Sequence, residues 1–246
     1  MEDLRLEAID LVKSYGHVQA LRGADFSVRS GEVVALVGDN GAGKSTLIKC
    51  LSGAIQPDSG RILLEGREVS LSSPVAAQQL GIETVYQDLA IALDLDPAAN
   101  LFLGRELKRS GILGRLGVLD KRTMKAQAEA SFGSLGVRLQ DMNTPIGSLS
   151  GGQRQSVAVA RSIAWASKVV FLDEPTAALG VVQTRNVLDV IRKVRDKGVS
   201  VALISHNMPD VMSVADRIEV FRLGARVAQL RPDLAHGSVS GGPVGL

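Results

Sequence analysis

The chain has 246 residues, 45% hydrophobic and 22% charged, with 28 Lys and Arg against 26 Asp and Glu for a net charge of +2. That balance suits one large or two small folded domains and lacks the basic excess of a dedicated nucleic-acid binder, so no nucleic-acid partner is expected. A single cysteine, Cys50, excludes an internal disulfide; the scattered His17, His206 and His236 offer no zinc-ligand spacing; and no apolar run approaches the ~20 residues of a membrane helix.

The N-terminus starts acidic and alternating, unlike a signal peptide, and a cytosolic location is expected. Leu4, Leu6 and Ala8 alternate with charges, the pattern of an antiparallel strand. Val33–Val37 is an apolar, Val-rich run that reads as a buried parallel strand, followed by a helix over Lys44–Ser52 that Gly53 stops. Ile62–Leu64 lies between Gly60 and Gly66 as another antiparallel strand, and Ile82–Tyr86 is an apolar run interrupted by Glu83 and Thr84. From Asp88 to Ala160 helix formers replace β-branched runs, which predicts a helical insert. Within it, Arg105–Lys125 holds seven basic residues and two acidic ones, a solvated helical face or, alternatively, a face turned to a membrane partner. Val169–Leu172 and Val201–Ile204 read as further parallel strands. Between them, Thr184–Lys197 carries Val187, Leu188, Ile191 and Val194 at helical spacing and stops at Gly198. Arg217–Arg222 and Arg226–Leu230 flank Leu223-Gly224-Ala225 as a hairpin. Residues 236–246 are biased to Gly, Ser and Pro and are expected to form a flexible tail, while Cys50 and Trp165 are expected in the core. Strand–helix alternation predicts an α/β fold in a single domain over 1–246. Segments 1–87 and 161–246 supply its core and a β subdomain, and 88–160 its helical part.

Gly38-Asp39-Asn40-Gly41-Ala42-Gly43-Lys44-Ser45 matches G-x-x-x-x-G-K-[ST] between a strand and a helix, the context that a phosphate loop requires. Its glycines let backbone N–H groups turn toward phosphate oxygens, and the helix start adds partial positive charge. Lys44 supplies a cation for the outer phosphates, and the Ser45 hydroxyl can ligate Mg²⁺. Asp173 and Glu174 end an apolar strand; Asp173 suits the magnesium shell and Glu174 the attacking water. Leu149-Ser150-Gly151-Gly152-Gln153 opens a second helix and makes a second anion-binding terminus, more than one nucleotide loop needs. Gln87, Asp173 and His206 each closely follow an apolar run, where open parallel sheets place ligands.

In this order, the phosphate loop, Leu149–Gln153, Asp173–Glu174 and His206 resemble the ATP-binding cassette of ABC transporters over nearly the whole chain. The resemblance implies a phosphate-loop NTPase (RecA-like) core with an antiparallel β subdomain and a helical insert, and Mg²⁺-dependent ATP hydrolysis. It assigns Tyr15 to stack on adenine and the loop through Thr46 to hold phosphates. Gln87 would contact Mg²⁺ and the lytic water, Glu174 would polarise that water, and His206 would contact the γ-phosphate. Ser150, Gly151, Gly152 and Gln153 would cap the nucleotide held by the opposite subunit, so a second copy of this chain is an expected partner. The resemblance also implies transmembrane permease subunits docking on the helical insert and, indirectly, a sugar-binding protein as partners, and would put the chain at the inner face of the cell membrane. Gly81–Ala90, Asn100–Glu106 and Thr176–Gly180 resemble the ATPases of bacterial monosaccharide importers, with fructose as the sugar suggested. Gly180 stands where ABC ATPases usually carry Asp, and the missing carboxylate is expected to weaken coupling between two sites. DNA-repair ATPases with related motifs split them by a long coiled coil, which does not fit between Lys44 and Ser150 here; an export cassette is the nearest alternative.

Overall fold

Strands β1 (Leu4–Tyr15) and β2 (Val18–Arg29) pair antiparallel across Gly16-His17, Leu6 facing Val28 and Tyr15 facing Val18. Leu6, Ala8, Leu11, Leu21, Ala24, Phe26 and Val28 turn inward, while charged neighbours face out. Strand β3 (Val33–Val37) delivers the chain to the glycine-rich loop, which ends at helix α1 (Lys44–Leu51). Strands β4 (Ser59–Leu64) and β5 (Arg67–Glu68), helix α2 (Pro74–Gln79) capped by Ser73, and strand β6 (Ile82–Val85) follow. The computed structural model describes residues 4–85, 91–137, 139, 141–177, 179–233 and 238–243.

Two compact units divide the chain. Met1–Gln87, Trp165–Ala177 and Ile191–Leu246 form the first; Asp88–Ala164 and Ala178–Val190 form the second. In the second, helices α3 (Pro97–Leu101), α4 (Ile112–Arg115), α5 (Lys121–Ser134) and α6 (Gly151–Ala164) replace strands. Helices α3, α5 and α6 pack on one another, and fully buried Asn100 ties the preceding loop by accepting from Ala92 N–H and donating to the carbonyls of Ala92, Leu95 and Asp96. The basic stretch is not one helical face: its first part is a hairpin-like projection and only its end enters α5.

The chain continues through β7 (Val169–Asp173), α7 (Val181–Asp196), β8 (Ser200–Ile204), α8 (Met208–Val214), β9 (Arg217–Arg222), β10 (Ala225–Asp233) and β11 (Ser238–Pro243). Helix α7 begins before the expected Thr184, because the carbonyl of Gly180 already accepts from the Thr184 N–H. The expectation of a flexible tail over 236–246 needs correction at 238–243. There the backbone pairs with β10, Asp233 opposite Ser238 and Ala228 opposite Pro243. An edge strand offers a row of free backbone groups, so an added strand needs no hydrophobic alternation.

In the first unit one sheet runs β2-β1-β4-β5 and is antiparallel; the other runs β11-β10-β9-β3-β8-β7-β6 and is parallel from β9 to β6. One hydrophobic cluster joins Phe26, Leu47, Leu51, Phe171 and Phe221, so both sheets and α1 share a core. Cys50 is fully buried there, whereas Trp165 is only partly buried. Strand β9 departs from simple alternation: Arg217 and Glu219 are buried, Arg217 binding Glu32 at 2.8 and 3.0 Å and Glu219 at 2.5 Å. Burial alone would raise the Glu32 pKa, but the Arg217 hydrogen bonds, the Arg29 N–H and both cations hold it below the usual carboxylate range.

Candidate functional site

At the carboxyl end of β3 the chain must turn sharply and start a helix, and two glycines make that possible. Gly38 has φ 147° and a Cβ there would lie 2.1 Å from the Phe221 carbonyl oxygen. Gly43 has φ 101°, and its Cβ would meet the Ala20 carbonyl oxygen at 2.7 Å. The loop is held from outside by the β9–β10 turn, whose Gly224 N–H donates to the Ala42 carbonyl while its own carbonyl accepts from Arg22 N–H. Lys44 is buried and its Nζ donates to the carbonyls of Gly38 and Asp39 at 2.7 and 3.0 Å. Burial holds the Lys44 pKa below the ordinary lysine value, against the raising effect of Glu174, Asp173 and Asp39.

Strand β7 ends beside this loop with Asp173, and Glu174 follows at φ 51°. A non-glycine residue in the left-handed region costs about 1–3 kcal/mol and marks positions that a surrounding structure forces. The Glu174 N–H donates to the Ile204 carbonyl, which fixes the carboxylate next to the end of β8. Glu174 Oε1 is buried without a hydrogen bond and lies 3.1 Å from His206 Nε2, a close approach outside hydrogen-bond geometry. Burial pushes the Asp173 carboxyl above its ordinary pKa, although Lys44, Lys49 and His206 pull the other way. A desolvated acid lining the same cleft as Ser45 is a donor set that a hard divalent cation fits, since binding one would relieve the burial penalty.

A cleft of about 440 Å³, within the range of small-molecule sites, gathers Asn40, Gly41, Ala42, Gly43, Lys44, Ser45 and Thr46 with Tyr15, Asp173, Glu174 and His206. Gly38 and Asp39 are not in its wall and act through their carbonyls on Lys44. Val18, Gln19, Ala20 and Ile204 also line it; sequence reasoning missed them because they contribute wall by their place in β2 and β8. Tyr15 is half exposed at the cleft, a flat ring available to stack. Gln87 lies outside the described residues.

Ser150, Gly151, Gly152 and Gln153 belong to the second unit. The Ser150 N–H donates to Gln153 Oε1 at 3.0 Å and the Gln153 N–H to Ser150 Oγ at 3.3 Å, a reciprocal capping box at the start of α6. Arg154 pins the preceding turn through the carbonyls of Gly147 and Leu149, and the Gln183 side chain packs so closely on Gly152 that a Cβ there would lie 2.0 Å from Gln183 Cγ.

A parallel sheet with a glycine loop opening a helix, a buried lysine at that loop and an acid at the end of β7, one strand removed from β3, define a phosphate-loop NTPase fold. The model of the ABC transporter family matches residues 21–177. Among curated proteins, the chain is 53% identical to the fructose import ATP-binding protein FrcA of Rhizobium meliloti, over 92% of this chain and 88% of that one. It is 47% identical to the xylose/arabinose import ATP-binding protein XylG of Sulfolobus acidocaldarius, over 91% and 86%. A crystal structure of a nucleotide-free ATP-binding cassette from an ABC transporter superposes with a TM-score of 0.79 at 25% identity, covering 94% of this chain and 92% of that one. The chain belongs to the ABC transporter family, and it is an ATPase of that family.

Proposed function

We propose that this chain is the ATP-hydrolysing subunit of a monosaccharide importer, with fructose as the favoured sugar, and that it works as a homodimer on the inner face of the membrane beneath permease subunits. The observation that carries the chemistry is one cleft joining Lys44, Ser45, Asp173, Glu174 and His206. The similarity to FrcA and XylG supports sugar import, and the first of these supports fructose. Among the described residues no helix is long and apolar enough to cross a membrane; in this reading the permease subunits are the membrane-spanning part.

In this reading Tyr15 stacks on adenine, the N–H groups of 38–46 surround the β- and γ-phosphates, and Lys44 exchanges its loop carbonyls for phosphate oxygens. Ser45 and Asp173, with Gln87, would hold Mg²⁺. When bound, that ion neutralises charge on the outer phosphates. Glu174 orients the attacking water and draws its proton density through the buried Oε1, while His206 Nε2 contacts the γ-phosphate. Ser150 to Gln153 of the second copy complete the site. A positioned base contributes ~10²–10⁴ to the rate, and Glu174→Gln should remove that contribution while keeping nucleotide contacts. Sedimentation of Glu174→Gln with and without ATP should therefore show an ATP-dependent dimer. A monomer at saturating ATP, with permease present, would overturn the homodimer. Uptake of labelled fructose against ribose and xylose by cells lacking and regaining this chain tests the sugar.

A further inference from the structure

The basic stretch of the second unit is not used by the reading above, and its shape is specific. Residues 107–120 form a closed projection. Lys108 bridges Leu119, the Arg109 N–H donates to the Val118 carbonyl, and the Asp120 N–H donates to the Leu107 carbonyl. At its end, the N–H groups of Arg115, Leu116, Gly117 and Val118 donate to the carbonyls of Gly111, Ile112, Gly114 and Leu113. The one-turn helix α4 therefore satisfies much of its backbone internally. Gly114 seats it against the stem, where a Cβ would lie 1.7 Å from the Arg109 carbonyl oxygen.

This tip presents aliphatic side chains to solvent. Ile112 is 77% exposed and Leu116 74%, and Leu113 and Val118 are exposed as well. Around them stand Lys108, Arg109, Arg115, Lys121 and Arg122, all exposed. The acids nearby are engaged with backbone: Glu106 accepts from Gly104 N–H, and Asp120 caps α5 through Thr123 N–H.

We propose that the 111–118 tip, with its ring of cations, inserts shallowly into an anionic phospholipid surface. Two features favour a bilayer over a protein groove. The cations come from the first arm of the hairpin (Lys108, Arg109), from α4 (Arg115) and from the start of α5 (Lys121, Arg122), a spread that suits many dispersed phosphates. The paired backbone lets the tip leave water with few stranded polar groups. Apolar insertion plus basic attraction is the two-part anchor that membrane-surface segments use. The inference goes beyond the importer reading and does not require it, because bare vesicles contain no permease.

The test is flotation of the full-length chain with phosphatidylcholine vesicles, with and without phosphatidylglycerol, at low and high salt. The chain should float with the anionic vesicles at low salt and be released at high salt. Ile112→Ser with Leu116→Ser should lower partitioning on the order of tenfold. Lys121→Gln with Arg122→Gln should lower it about fivefold per cation removed. The second pair sits at the start of α5, where removing positive charge favours the helix, so unchanged melting keeps a loss of binding interpretable. Equal flotation with both vesicle types, flotation with neither, or variants that float like the parent would each overturn the proposal. If the parent fails to float while the Ile112/Leu116 variant loses the permease on co-purification, the tip is a protein contact instead. ATP hydrolysis by the assembled transporter reports on the importer reading separately.

Discussion

Helices α1 and α6 both start at glycine-rich turns, yet their first N–H groups are treated in opposite ways. At α1 the cap is Gly43 in the left-handed region, and no side chain caps the helix. At α6 the Ser150 hydroxyl and the Gln153 amide cap each other's backbone N–H groups. An uncapped terminus can take an anion without giving up an internal partner. The capped one must first release the Ser150 hydroxyl, a cost of about 0.5–2 kcal/mol by the usual worth of a cap. The two motifs are therefore not equivalent anion sites: α1 is ready in the isolated chain, and α6 engages phosphate only when the gain exceeds the lost cap.

Breaking the open terminus should have the largest effect. Gly38→Ala pushes a methyl group into the Phe221 backbone and strains φ, so Mg-ATP binding should disappear in calorimetry and the melting temperature should fall. Lys44→Ala leaves the loop glycines intact and removes only the cation. ATP affinity should drop about 10- to 100-fold, the range for charge-assisted hydrogen bonds, with little change in melting. The sign of its pH dependence follows from burial, which lowers the Lys44 pKa below 10.5. Lys44 loses its proton earlier than a free lysine as pH rises. The ATP-affinity advantage of Lys44 over Ala should therefore begin to shrink before pH 10.5 is reached, because above its lowered pKa the lysine must regain a proton to pair with phosphate, and Lys44→Arg should keep it.

The closed terminus is tested by Ser150→Glu and Ser150→Ala. Ser150→Glu should leave ATP binding to the monomer unchanged but abolish the ATP-dependent dimer of Glu174→Gln in light scattering, because a carboxylate would oppose phosphate. Ser150→Ala should cost about 1 kcal/mol of stability in denaturant unfolding and weaken the dimer less. Loss of monomer ATP binding in Ser150→Glu would break the comparison, since it would make α6 part of the ready site.

The same contrast explains what the sequence made legible. The phosphate loop is eight consecutive residues whose geometry is local, so its glycines and Lys44 could be read directly. Strands β3, β7 and β8 were legible because burial on both faces demands unbroken apolar runs. Strand β2 was not, since Arg22-Gly23 puts an extra residue between inward-facing Leu21 and Ala24 and breaks its alternation. The hairpin pattern of Arg217–Arg222 and Arg226–Leu230 carries no sign that Arg217 and Glu219 are buried. Strand β9 lies between β3 and β10, and Glu32, from a distant part of the chain, supplies the partner that lets Arg217 be buried. The cleft wall of Val18 and Ala20 is likewise a product of long-range packing, carried by no local residue pattern.

The smallest expected effect concerns Gly180, the residue before α7, beside the capped terminus. Its carbonyl accepts from the Thr184 N–H, so it is the N-cap of α7. A Cβ there would meet only Gln183 Oε1, at 2.7 Å, the movable end of a flexible side chain. Gly180→Asp should fit, because the Gln183 amide can rotate and the new carboxylate can accept from the first N–H groups of α7. Asp caps better than Gly by a few tenths of a kcal/mol, and its charge favours the helix start. Stability in denaturant should rise by about that amount, against the usual direction for a substitution of this size. The Gln183 side chain also lies on Gly152, so a carboxylate that recruits it should loosen its hold on the start of α6. In the assembled transporter, Gly180→Asp should then raise the Hill coefficient for ATP without changing affinity in the isolated chain. A gain in stability with an unchanged Hill coefficient would show that the carboxylate acts only as a cap, and that Gln183 does not link Gly180 to the α6 terminus.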